Sequence, residues 1–104
     1  MSDYTRLRDL LGTQVFEMRE RLELRPGEYR ELLLESFSAR EGAWGPYWSL
    51  SLRDPEGGRC YYLSTSSKQV HEVMQKLSDM VGTGKASLPV MVRVRRLRRT
   101  WVID

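Results

Sequence analysis

The stretch from Tyr47 to Leu77 reads YWSLSLRDPEGGRCYYLSTSSKQVHEVMQKL, and its two halves obey different periods. From Tyr47 to Arg53, Trp48, Leu50 and Leu52 alternate with Tyr47, Ser49, Ser51 and Arg53. Successive side chains of a strand point to opposite faces, so this pattern predicts a half-buried antiparallel strand. Asp54-Pro55-Glu56-Gly57-Gly58 is rich in residues that turn a chain. Arg59 to Ser64 then reads as the returning strand of a hairpin. Beyond it the period lengthens. Val70, Val73, Met74, Leu77 and Met80 recur at the three- and four-residue spacing of one helix face. Thr65, Ser66 and Ser67 offer caps, and Gln69 stands three residues after Ser66 as a capping-box partner. Gly82 and Gly84 end the segment, which predicts a helix over about 67–81.

Working outward, Glu28 to Arg40 reads as an earlier strand, with Leu32 and Leu34 on one face and Tyr29, Leu33 and Phe37 on the other. Glu41 to Pro46, with two glycines and a proline, reads as the turn that joins it to Tyr47. After the helix, Leu88, Val90, Val92 and Val94 alternate with Met91, Arg93 and Arg95. Arg96 to Arg99 would be a short connection, and Thr100 to Ile103 a last strand. Upstream, Leu7, Leu11, Val15, Met18 and Leu22 are spaced as one helical stripe over residues 3–24. Ser2 or Asp3 would cap its start, and Arg25-Pro26-Gly27 would stop it. The alternative for part of 15–24 is an extended lead-in to the first strand.

With 104 residues the chain fits one domain, comprising a helical extension over 1–25 and a sheet domain over 28–103. A balance of 40% hydrophobic and 30% charged residues is that of a folded chain rather than a disordered one. No apolar run approaches the length needed to cross a bilayer, and the first residues carry no signal core. Cys60 is the one cysteine, which rules out an internal disulfide and agrees with a cytoplasmic, reducing location. The net charge of +3 is unevenly placed. Residues 81–104 hold six basic side chains against Asp104 alone, while residues 1–80 hold 11 basic and 13 acidic groups. Such asymmetry points to an anionic partner, of which nucleic acid is the commonest.

Three strands, a helix and two strands is the element order of the oligonucleotide-binding, or OB, fold. On that order, and on the placement of its aromatic and basic residues, the chain resembles single-stranded-DNA-binding OB proteins over residues 28–103. The resemblance implies a small five-stranded antiparallel barrel with one internal helix. Its ligand would lie across the second and third strands and the loops after strands one and four. A sequence-independent single-strand binder needs cations for phosphates and flat rings for bases. Arg40, Trp44 and Tyr47 would come from the first loop, and Arg93, Arg95, Arg96, Arg98, Arg99 and Trp101 from the region of the second. Arg53, Arg59 and Tyr61 would come from the strands between. Tyr61 and Tyr62 must face opposite ways, so one of the two belongs to the core. The expected partner is single-stranded DNA, or RNA, in a bacterial, archaeal or viral replication or repair role. The stripe of Leu7, Leu11, Val15, Met18 and Leu22 would form a homodimer or fold back over the open end of the barrel.

Other readings stand beside this one. A whirly-type single-strand binder would use the segment from Tyr47 through Leu77. A protein–protein adaptor or regulatory subunit would use Trp44, Tyr47 and the arginines as an interface, since Trp, Tyr and Arg dominate such contacts. The arginine run would also serve as a charged sheet edge that prevents aggregation. Trp48, between apolar alternates, reads as core. Catalysis has little to draw on. His71 is the single histidine and lies off the apolar helix stripe, and Cys60 lies within a strand. There is no phosphate-binding glycine loop and no Cys/His cluster of metal-ligand spacing. The expectation is a protein with no enzyme activity, no metal and no cofactor.

Overall fold

The computed structural model describes residues 19–104. Six strands form one curled sheet, a half-barrel, with a single helix. In chain order these are β1 (Glu20–Arg21), β2 (Tyr29–Gly42), β3 (Gly45–Arg53), β4 (Cys60–Thr65), the helix α1 (Lys68–Gly82), β5 (Val90–Arg96) and β6 (Trp101–Ile103). They lie side by side as β1-β4-β3-β2-β5-β6. Every neighbouring pair is antiparallel except β1 with β4, which is parallel.

The alternation read from Tyr47 to Arg53 positions the core. Trp48, Leu50 and Leu52 face the concave side, where Leu50 pairs across to Phe37 and Leu63, and Leu52 to Leu34 and Tyr61. Val92, Val94 and Ile103 extend the same face onto β5 and β6. Val70 and Met74 of α1 fill the concavity and are fully buried. Ser67, not Ser66, caps the helix, its Oγ accepting from Val70 N.

Three expectations are corrected by this sheet. First, the segment after residue 18 is not helical. Glu20–Arg21 is a strand, and Leu22 is a fully buried core residue whose N–H donates to Tyr62 O at 2.9 Å. Leu22 fits the helical stripe with Met18 and, with Leu24 two residues on, strand alternation as well; pairing with β4 decides between them. Leu7, Leu11, Val15 and Met18 lie outside the described residues.

Second, β2 carries a bulge. Its register slips between Leu34 and Ser36, so Glu35 has no partner on β3. The extra residue shifts the facing of the rest of the strand by one position. Phe37, expected on the face opposite Leu32 and Leu34, therefore joins them and meets Trp48, with ring centroids 5.8 Å apart.

Third, the sheet does not close as a five-stranded barrel. The edge of β6 that closure would use is already occupied by the start of α1. Ser67 Oγ donates to Trp101 O at 2.7 Å. Gln69 Nε2 donates to Ile103 O at 2.7 Å, while Ile103 N donates to Gln69 Oε1 at 2.9 Å. The Gln69 amide thus pairs with Ile103 as a neighbouring strand would, instead of joining a capping box. Between this edge and β1 an open seam of about 540 Å³ remains, lined by Leu22, Leu63, Arg96 and Trp101 among others.

Candidate nucleic-acid interface

The register that sends leucines inward sends a different set outward. On β3 these are Tyr47, Ser49, Ser51 and Arg53; on β4, Tyr62 and Ser64; on β2, Arg40, Ser38 and Ser36. They form ordered rows across the strands: Arg40 beside Tyr47, then Ser38–Ser49–Ser64, then Ser36–Ser51–Tyr62, then Leu33 beside Arg53. Leu33 also pairs with Met91, Glu31 with Arg93 and Tyr29 with Arg95, which carries the same convex face onto β5. The result is one surface with short hydroxyl side chains in the middle and long cationic and aromatic ones toward both ends. A serine hydroxyl both donates and accepts hydrogen bonds, so the middle offers polar contacts with little steric height.

The sites named from the sequence divide between the ends of this surface. Tyr29 and Gly42 bound β2, a contour of about 43 Å at 3.3 Å per residue. Arg95 is at one end, and Arg98 and Arg99 follow in the bend between β5 and β6. Arg40, Tyr47 and Trp44 are at the other. The stretch Glu41 to Pro46, expected as a turn, is mostly strand. Gly42 pairs with Gly45, which leaves only Ala43 and Trp44 to turn the chain. Gly45 takes the left-handed φ of +110°, so Trp44 holds an unstrained backbone. Its side chain is fully exposed, at 101%. A groove of about 320 Å³ beneath it is lined by Tyr47, Ser64 and Ser66 among others.

Several of the named residues are already engaged. Tyr61 is 6% exposed and belongs to the core, with its hydroxyl accepting from Arg30 Nη1 at 2.9 Å. It cannot offer a face to a base, and Tyr62, at 40% exposure, is the outward tyrosine. The sequence carries the signal for this: Tyr61 alternates in phase with Leu63, and Tyr62 with Ser64. Arg96 faces inward, its guanidinium 5.0 Å above the Trp101 ring, so each occupies the other at the seam. Arg53 pairs with Glu35 at 3.0 Å, and Arg59 with Glu20 at 3.9 Å. Arg93 pairs with Glu31 at 3.0 Å and lies over the Tyr29 ring. The hydrogen bond that Arg93 donates to the Glu31 carboxylate, and then that carboxylate's charge, hold the Arg93 guanidinium above its ordinary pKa. Arg40, Arg95, Arg98 and Arg99 make no ion pair among the described residues.

Two residues with no part in the expected site have structural work. His71 Nδ1 accepts from Trp48 Nε1 at 2.9 Å, which satisfies the polar atom of a buried ring. Asp54 organises the β3–β4 turn. Its Oδ1 accepts from Glu56 N at 2.9 Å and from Gly57 N at 3.3 Å, and its Oδ2 meets Arg30 Nη2 at 2.9 Å. Those turn amides, more than Arg30, hold its carboxyl below the ordinary value of 3.8. Among the described residues no three His, Cys, Asp or Glu side chains converge as a metal site, and no helix is long and apolar enough to cross a membrane. No protein-family model, curated protein or solved structure matches this chain.

Proposed function

We propose that the convex face of the sheet binds single-stranded nucleic acid, DNA in preference to RNA, without catalysis and largely without regard to sequence. The observation that carries this reading is the continuity of the face. Exposed cations, outward tyrosines and a hydroxyl floor lie on a single surface running the length of β2. Arg40, Arg95, Arg98 and Arg99 hold phosphates, because binding there displaces no carboxylate of the described chain. Arg53 and Arg93 contribute less, since each must first leave Glu35 or Glu31. Tyr47 and Tyr62 stack bases, at about 1–3 kcal/mol each. The strand order supports the reading: β4-β3-β2-β5-β6, with α1 between β4 and β5, is the OB order with its closing pair left open. That fold presents its ligand face on the strands that correspond to β3 and β4. The chain would act in the cytoplasm in replication or repair.

The test is a titration of a fluorescent oligo-dT of about 20 nucleotides, a few site sizes long, beside a matched duplex at two salt concentrations. The expected result is binding to the strand in preference to the duplex, falling with salt by about 0.7 log units per log unit for each phosphate engaged. An absence of binding at low salt would overturn the proposal. A second reading, a protein–protein contact centred on Trp44 and its groove, is favoured by the full exposure of that ring. It predicts a partner whose affinity responds only weakly to salt.

A further inference from the structure

The end of β2 and the start of β3 reach beyond the rest of the sheet. On β2 the last partner from β5 is Val90, opposite Leu34; on β3 the last partner from β4 is Thr65, opposite Trp48. Past these points only Arg40–Tyr47, Glu41–Pro46 and Gly42–Gly45 are paired, as a free two-stranded ribbon. It projects about 10 Å past Trp48, at 3.4 Å per residue. That is about three base steps of a nucleic-acid strand. At its tip stands Trp44 with its whole surface in water, on a turn whose left-handed residue is Gly45. At its base stand Arg40 and Tyr47, at the end of the face already described.

We infer that this ribbon is a wedge for the junction between single-stranded and duplex nucleic acid, with Trp44 stacking on the terminal base pair. The inference rests on the proposed single-strand face and goes beyond it by naming the substrate class. A strand lying along the face leaves it at the ribbon, so the ribbon tip meets the next nucleotides of that strand, paired or unpaired. A fully wet indole gains most from the largest flat apolar partner within reach. A single base offers one ring system, whereas the last pair of a duplex offers two side by side. Ribbons of this kind enter nucleic-acid grooves, and apolar side chains inserted at base steps are a general way to part a stack. Arg40 at the ribbon base is placed to hold a phosphate next to the junction.

The experiment compares four probes at one salt concentration: a 20-nucleotide single strand, the blunt duplex, and two partial duplexes whose single-stranded overhangs have opposite polarity. One of the two junctions is expected to bind about tenfold more tightly than the bare strand, the worth of one stacked ring. Trp44→Ala should abolish that gap, weakening junction binding by about tenfold more than strand binding, and Trp44→Phe should restore most of it. Because Trp44 is fully exposed, neither variant threatens the fold. Strand binding with no junction preference, or equal weakening of strand and junction by Trp44→Ala, would overturn the inference alone. A failure of all four probes to bind would remove the single-strand reading and the inference with it.

Discussion

The two faces of this sheet are built from the same strands and differ in almost everything else. On β3 alone, Trp48, Leu50 and Leu52 lie at or below 8% exposure, while the residues between them are Tyr47, Ser49, Ser51 and Arg53. The concave face is closed by close packing against α1. The convex face has no element of the described chain over it, and it gathers hydroxyls, rings and charged groups, with Leu33 and Met91 among them, instead of a continuous row of leucines. The difference teaches where each kind of substitution should be felt. Changes on the inner face should act on stability, and changes on the outer face should act on binding and leave stability nearly alone.

The inner face gives the largest expected effect. Leu50→Ala removes a side chain with no exposed surface and should cost about 2–5 kcal/mol of unfolding free energy, read from urea denaturation. A loss below about 1 kcal/mol would mean that the core is not closed around Leu50. Gln69→Ala comes next. It strips both side-chain partners from the Ile103 backbone and should cost about 1–3 kcal/mol, with faster amide exchange at Ile103 than in the parent. If Gln69→Ala proved neutral, the edge of β6 would be satisfied some other way, and the reason given for the open seam would fail.

A smaller effect should appear in acid. The carboxyl of Asp54 is held below 3.8 in the folded chain. Its contribution to stability is therefore present above that value and is lost as the pH falls through the lower folded value. Asp54→Asn should therefore lower stability in the neutral region, where the carboxylate contributes, and flatten the acid limb below about pH 4, where parent and variant converge. The smallest effect belongs to the outer face: Ser51→Ala should change stability by no more than about 0.5 kcal/mol. A cost there as large as that of Leu50→Ala would erase the distinction between the faces.

Much of this contrast is legible in the sequence, because period two over Tyr47–Arg53 and helical spacing over Val70–Met80 are strong local signals. The helix expected over about 67–81 is found at Lys68–Gly82, and the expected strands reappear with ends shifted by one or two residues. What the local pattern misses depends on pairing across the chain. The bulge at Glu35 adds one residue and reverses the facing of Phe37, and nothing in the residues themselves marks it. β1 is two residues long and exists because β4 offers it an edge. Open-barrel geometry turns on two side chains at the start of α1, Ser67 and Gln69, each 34 residues from its partner on β6. For the candidate site, residue types are legible and their grouping is not. Trp44 and the terminal arginines read as parts of one cluster but lie at opposite ends of β2. Arg96 and Trp101 read as ligand groups but face each other. The serine rows that join the two ends carry no signal of their own in the sequence, because a serine in a strand marks only a polar face.

The most direct measurement is the salt dependence of oligo-dT binding for a chain with Arg40, Arg95, Arg98 and Arg99 all changed to alanine, compared with the parent. These four side chains make no ion pair among the described residues, so the variant should keep the parent's denaturation midpoint. The account predicts that the slope of log K against log salt becomes shallower by about 2.8, at about 0.7 for each phosphate no longer neutralised. An unchanged slope with the fold intact would contradict it, and would show that these four arginines do not hold the phosphates of the strand.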